Sequence, residues 1–79
     1  MAETEQQLDV RKIPPYKKHA AIFETYNNLG KGEAFVIIND HDPKPLRFQF
    51  IAERGKDKFS WEYLEEGPQV WRVRIGKTG

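Results

Sequence analysis

Asn39-Asp40-His41-Asp42-Pro43-Lys44-Pro45-Leu46-Arg47-Phe48-Gln49-Phe50 follows directly on the apolar run Ala34-Phe35-Val36-Ile37-Ile38. The apolar run reads as a strand with apolar residues on both faces, the pattern of a central strand. The residues after it stop that strand and start a helix. Asp42 fits an N-cap, Pro43 fits the first helical position, and Pro45 stays within the first turn, where a missing N–H costs little. An imidazole and two carboxylates therefore gather where helix N–H groups point outward.

Working back from this stretch, Gly30-Lys31-Gly32 is a turn, and Glu33 to Asn39 is the strand. Before the turn, His19, Ile22, Phe23, Tyr26 and Leu29 recur at helical spacing. This predicts a helix over 15–29, opened by Pro15 and closed by a C′ glycine, Gly30. Lys17 and Lys18 stand at the wrong end of that helix for its dipole; they read as solvated lysines, a placement that sometimes marks an anion site. Leu8-Asp9-Val10-Arg11 alternates as a half-buried strand does. Residues 1–6 are polar and acidic and read as a disordered tail ahead of a single domain over 7–77.

Working forward, the proline-led start and Gly55 favour a second helix over 45–54, although Leu46, Phe48, Phe50 and Ala52 also alternate like a strand. Phe59-Ser60-Trp61-Glu62-Tyr63 and Val70-Trp71-Arg72-Val73-Arg74-Ile75 alternate strictly around a Glu65-Glu66-Gly67-Pro68-Gln69 loop, the signature of a hairpin. Strand, helix, strand implies a crossover between parallel strands. The expected fold is an α+β two-layer sandwich of order β-α-β-α-β-β, with both helices on one face of a four-stranded mixed sheet.

At 79 residues and a formal net charge of +1, the chain is one small domain, and its charge does not steer it toward nucleic acid or a membrane. It contains no cysteine, which excludes a disulfide scaffold, a thiolate metal site and a thiol nucleophile. The N-terminal residues lack the pattern of a signal peptide and no stretch reaches the ~20 apolar residues of a membrane span. The resulting expectation is a cytoplasmic protein.

Leu8-Asp9-Val10-Arg11, Pro14-Pro15, Leu29-Gly30-Lys31-Gly32-Glu33, Asp42-Pro43 and a last strand ending Ile75-Gly76-Lys77 together resemble the TusA/SirA-like domains. More closely, His41-Asp42-Pro43-Lys44-Pro45-Leu46, Trp61-Glu62-Tyr63-Leu64-Glu65-Glu66-Gly67-Pro68 and Trp71-Arg72-Val73 resemble an uncharacterised bacterial family of that fold group. Its members often occur fused or adjacent to hemerythrin-like or cupin-like metal-binding domains. The resemblance implies a protein partner of that kind. It does not carry over sulfur transfer: TusA-like carriers hold a persulfide on the cysteine of a Cys-Pro-x-Pro motif, and here that region reads Pro14-Pro15-Tyr16-Lys17.

Three functional readings follow. The first is a non-enzymatic binding or adaptor domain that acts with a metal- or redox-related partner through the sheet face away from the helices. Arg11, Phe35, Ile37, Glu62, Leu64, Arg72 and Arg74 are its candidate interface, with Phe35 and Ile37 expected to be more exposed than Val36 and Ile38. The second is a small-molecule or metal-binding, enzyme-like domain. Parallel first and second strands end at one edge, which brings Tyr16, His19, Asp40, His41, Asp42 and Lys44 together as candidate ligand-binding residues. His19 and His41 are the candidate metal ligands. The bland account of the same corner is a helix cap and a turn. The third is RNA binding, with Arg11, Arg72 and Arg74 around Phe35; near-zero net charge and Asp9 and Glu62 on that face argue against it.

Overall fold

The computed structural model describes residues 5–79. Strand β1 is Gln6–Asp9, helix α1 is Pro15–Asn27, strand β2 is Ala34–Asn39, helix α2 is Lys44–Arg54, and strands β3 (Phe59–Glu66) and β4 (Trp71–Lys77) form a hairpin. The sheet order is β1-β2-β4-β3. β1 and β2 are parallel, while β4 runs antiparallel to both β2 and β3. This is the expected mixed four-stranded α+β sandwich.

Much of the expected tail, residues 1–4, lies outside the described residues. Gln6 already belongs to β1, and Glu5 pairs with Arg74. β1 gives way to a 3-10 turn at Val10–Lys12, capped by Asp9, whose side chain accepts from the Arg11 amide. Val10 still reaches the core and is fully buried.

One core holds the two layers together. Ile22, Phe23 and Tyr26 of α1 and Phe50 of α2 pack with Phe35, Ile37, Phe59, Val73 and Ile75 of the sheet. Phe50 stacks on Phe23 with ring centroids 4.2 Å apart and meets Phe59 at 5.2 Å. Both helices thus cover the same sheet face. Burying a side chain of this size stabilises by about 1.5–3 kcal/mol relative to leaving it exposed, so the shared ring cluster fixes where α2 lies.

The orientation of β2 reverses the expectation for its faces. Phe35 and Ile37 are 0% exposed and belong to the core. The reason is register: Leu8 pairs with Ile37 and Val73 pairs with Ile37 across the ladders, and paired residues share a face. Phe35 and Ile37 are therefore no interface. Val36 occupies the other face, yet it is only 3% exposed. Its neighbours across the two ladders are Gln7 and Arg74. Glu5 reaches across β2 to Arg74, with its carboxylate 2.9 Å from Arg74 Nε. This ion pair closes over Val36.

Two helix ends also depart from expectation. Pro43, not Asp42, is the N-cap of α2, and no side chain caps it. α1 stops at Asn27 with Asn28 as its C-cap, so Gly30 is not the C′ glycine. It is Gly32, with φ 91°, that takes the left-handed conformation in the turn. Gly30 instead gives its N–H to Glu33 Oε1 at 2.6 Å.

Candidate functional site

The loop from β2 into α2 separates two clefts. The first, of about 210 Å³, lies between the two helices at the end of β2. Lys18, His19 and Ile22 of α1 line one side, and Leu46 and Gln49 of α2 line the other. Val10, Pro15, Asn39, His41 and Pro43 complete it. With β1 and β2 parallel, His19 and His41 both line this cleft.

Each imidazole is held by a carboxylate. His19 Nε2 lies 2.9 Å from Glu53 Oε2, and His41 Nδ1 lies 2.7 Å from Asp40 Oδ1. An ionised carboxylate only accepts hydrogen bonds, so each of these ring nitrogens donates. The neutral ring then keeps a lone pair on its other nitrogen: Nδ1 of His19 and Nε2 of His41. The His19 ring is further fixed by stacking on Phe23, with centroids 4.4 Å apart. The His41 hydrogen bond holds the Asp40 carboxyl below the ordinary carboxylate range. Both side chains remain open to solvent, at 47% for His19 and 64% for His41.

Asn39 is the polar residue at the floor. It is 6% exposed, and its Oδ1 accepts the Asp40 amide at 2.9 Å. That bond orients the carboxamide and leaves its NH2 as a donor at the cleft. The helix starts supply less than expected. Pro15 and Pro45 have no N–H, and the amides of Lys17, Leu46 and Arg47 bond the carbonyls of Pro14 and Pro43.

Asp42 and Lys44 face the other way. With Arg47, Trp61, Tyr63 and Glu66 they line a second cleft, of about 400 Å³, between α2 and β3. The Tyr63 hydroxyl donates to Asp42 Oδ1 at 2.8 Å, which explains why Asp42 does not cap the helix. Burial, and then this bond, push the Tyr63 hydroxyl pKa up. The Trp61 indole N–H is buried beside Tyr63, with no acceptor in full hydrogen-bond geometry among the described residues. Tyr16 belongs to neither cleft; it is 81% exposed. Among the described residues no group of three or more histidine, cysteine or acidic side chains is placed to hold a metal.

Of the interface expected on the open sheet face, Arg11 is bound by both Asp9 oxygens at 2.8 Å, and Arg74 is bound by Glu5. Leu64, at a bulge in β3, is 43% exposed, as expected. Glu62 and Arg72 also lie on β3 and β4. The RNA reading needed Phe35 as its stacking ring, and Phe35 is in the core.

Sequence reading missed Asn39 and the aromatic floor of the second cleft as site residues, and it read Lys18 as a solvated lysine although its placement at the helix start can mark an anion site. Asn39 had a signal: it ends an apolar strand at the same parity as Phe35 and Ile37. The role of Trp61 and Tyr63 had none, because it depends on how α2 lies over β3.

No helix among the described residues is long and apolar enough to cross a membrane. No curated protein and no solved structure matches the chain. A family model matches residues 7–77, and the chain belongs to the family described as an uncharacterized conserved protein (DUF2249).

Proposed function

We propose that this is a non-enzymatic binding domain, whose corner between α1 and α2 receives a small anionic ligand. The carrying observation is that His19 and His41, from different elements, line one cleft with Lys18 and the buried Asn39. Lysine and carboxamide are donors, and each imidazole adds a donor when protonated. A phosphate or carboxylate group satisfies that set. Binding is favoured over catalysis because both imidazoles are half in water, whereas proton-transfer chemistry gains from a site that excludes it. The family resemblance adds a working context: an adaptor beside a metal- or redox-handling partner, hemerythrin-like or cupin-like, in the TusA/SirA-like fold group.

A second reading has its own support. Metal-bound histidines commonly donate their other ring N–H to a carboxylate, as His19 and His41 do. Two imidazoles do not complete a zinc or iron site, so a partner would supply the rest.

Titration with phosphate, sulfate, zinc and iron(II), followed by imidazole and amide chemical shifts, separates the two: phosphate or sulfate should shift both imidazoles if the corner takes an anion, and zinc or iron(II) if it takes a metal. His41→Ala and His19→Ala should each weaken whichever ion binds. If no ion shifts both imidazoles, the corner is a turn and not a site.

A further inference from the structure

The cleft between α1 and α2 is lined by two kinds of side chain. Val10, Ile22 and Pro43 are buried apolar residues, Leu46 is half-buried, and Pro15 stands exposed beside them. The other lining residues are Lys18, His19, Asn39, His41 and Gln49, and no acid is among them. A small cleft with an apolar wall and a few convergent polar groups is the usual form of a small-molecule site. A bare inorganic anion would use only the polar half of this lining. Water would still wet Ile22 and Leu46, and covering them with an apolar group is favourable.

The polar half sets the charge of the ligand. Lys18 is the fixed cation of the lining. Among the described residues no carboxylate lies within ion-pair distance of it, although Asp40 is close enough to feel its charge. Asp40 and Glu53 are bound to the imidazoles. One cation balances one negative charge, and a second charge in the cleft would be left without a partner. A phosphate ester also wants a cradle of helix amides. Here the amides of Lys17, Leu46 and Arg47 already bond carbonyls, and Pro15 and Pro45 have none to give. Asn39 accepts the Asp40 amide through Oδ1, so its NH2 is the end left for a ligand oxygen.

We infer that the ligand of this cleft is a short aliphatic monocarboxylate, an inference that rests on the reading of the corner as an anion site. Its carboxylate meets Lys18 and the carboxamides of Asn39 and Gln49, and its chain lies against Ile22 and Leu46. The volume sets the length. About 210 Å³ holds about seven groups of the ~30 Å³ that a water molecule takes in the liquid. A carboxylate then leaves room for about four further carbons, which makes pentanoate the best-fitting straight chain.

The probes are the straight-chain acids from acetate to octanoate, n-pentanol, phosphate and sulfate, each titrated into the whole chain and followed by imidazole and amide shifts. The acids should shift both imidazoles and tighten by about two- to fourfold with each added methylene. The gain should stop at about six carbons, where the cleft is full. Pentanol should bind about tenfold more weakly than pentanoate, because it lacks the charge that Lys18 meets. Lys18→Gln, at a half-buried position outside the core, should erase most of that margin. Equal binding of acetate and pentanoate, equal binding of pentanol and pentanoate, or a gain that continues through octanoate would overturn the inference. So would phosphate binding more tightly than pentanoate. In each of these cases the anion reading stands if phosphate or sulfate still shifts both imidazoles. If neither the acids nor phosphate and sulfate shift them, the inference and the anion reading fall together.

Discussion

At the centre of β2 the two faces are almost equally dry and are kept dry by different means. Phe35 is 0% exposed beneath the helices, and Val36, its neighbour, is 3% exposed on the open side. Phe35 is enclosed by apolar side chains of both layers. Val36 is closed over by the Glu5–Arg74 ion pair, whose own side chains are about a third exposed, at 32% and 37%. Equal burial therefore does not mean equal energy. A packed face loses its contacts only when the fold opens, whereas a strap of charges can be loosened by acid, salt or a single substitution.

The largest effect should come from Phe35→Asp. It places a carboxylate in the apolar core, where burial without a partner is prohibitive, in a domain whose total stability is on the order of 3–5 kcal/mol. Circular dichroism should show no cooperative melt. A folded variant would mean that the two faces are interchangeable. Phe35→Ala should cost about 3–5 kcal/mol, near the limit of folding.

Val36→Ala should cost less, about 1–2 kcal/mol at ~0.8 kcal/mol per buried methylene. Urea unfolding would measure it. A loss as large as that of Phe35→Ala would show that the strap covers as well as a helix layer does.

Glu5→Gln should cost least, about 0.2–1 kcal/mol, the usual range for an exposed ion pair. High salt should shrink the difference from the parent chain. The same pair should give an acid signature. Its hydrogen bond with Arg74 lowers the Glu5 pKa, and the bond with Arg11 lowers that of Asp9 from 3.8 to about 2. A carboxylate depressed in the folded state contributes stability above its unfolded pKa and loses it as pH falls through the folded one. For Asp9 that loss should run from about pH 4 down to about pH 2. Urea midpoints across this window should fall, and for Glu5→Gln they should fall less steeply.

How much of this could be read from the chain differs by element. Residues 59–63 and 70–75 alternate apolar with charged side chains, so their inward faces were legible. At the end of β1 and in the turn after it, Asp9 and Arg11 did the same for Leu8 and Val10. Residues 34–38 are apolar at every position, and a one-residue change of parity exchanges the two faces of a strand. Only the pairing with Leu8 and Val73 decides it, and both lie far away in sequence. The meeting of His19 and His41 was legible because it follows from parallel strands. The departure of Asp42 and Lys44 to a second cleft was not, because the partner of Asp42 is Tyr63, 21 residues away.

The register also places the start of β1 and the finish of β4. Gln6 opposes Phe35, and Ala34 opposes Gly76, so β1 begins and β4 finishes at the edge where β2 starts. His41 and Asp42 follow its other end. Six residues of strand separate the two, a distance of about 20 Å. A fluorescent group attached at Gln6 or Lys77 would hang from the end of the sheet opposite the imidazoles. A surface tether at either position should leave the corner of His19 and His41 turned outward.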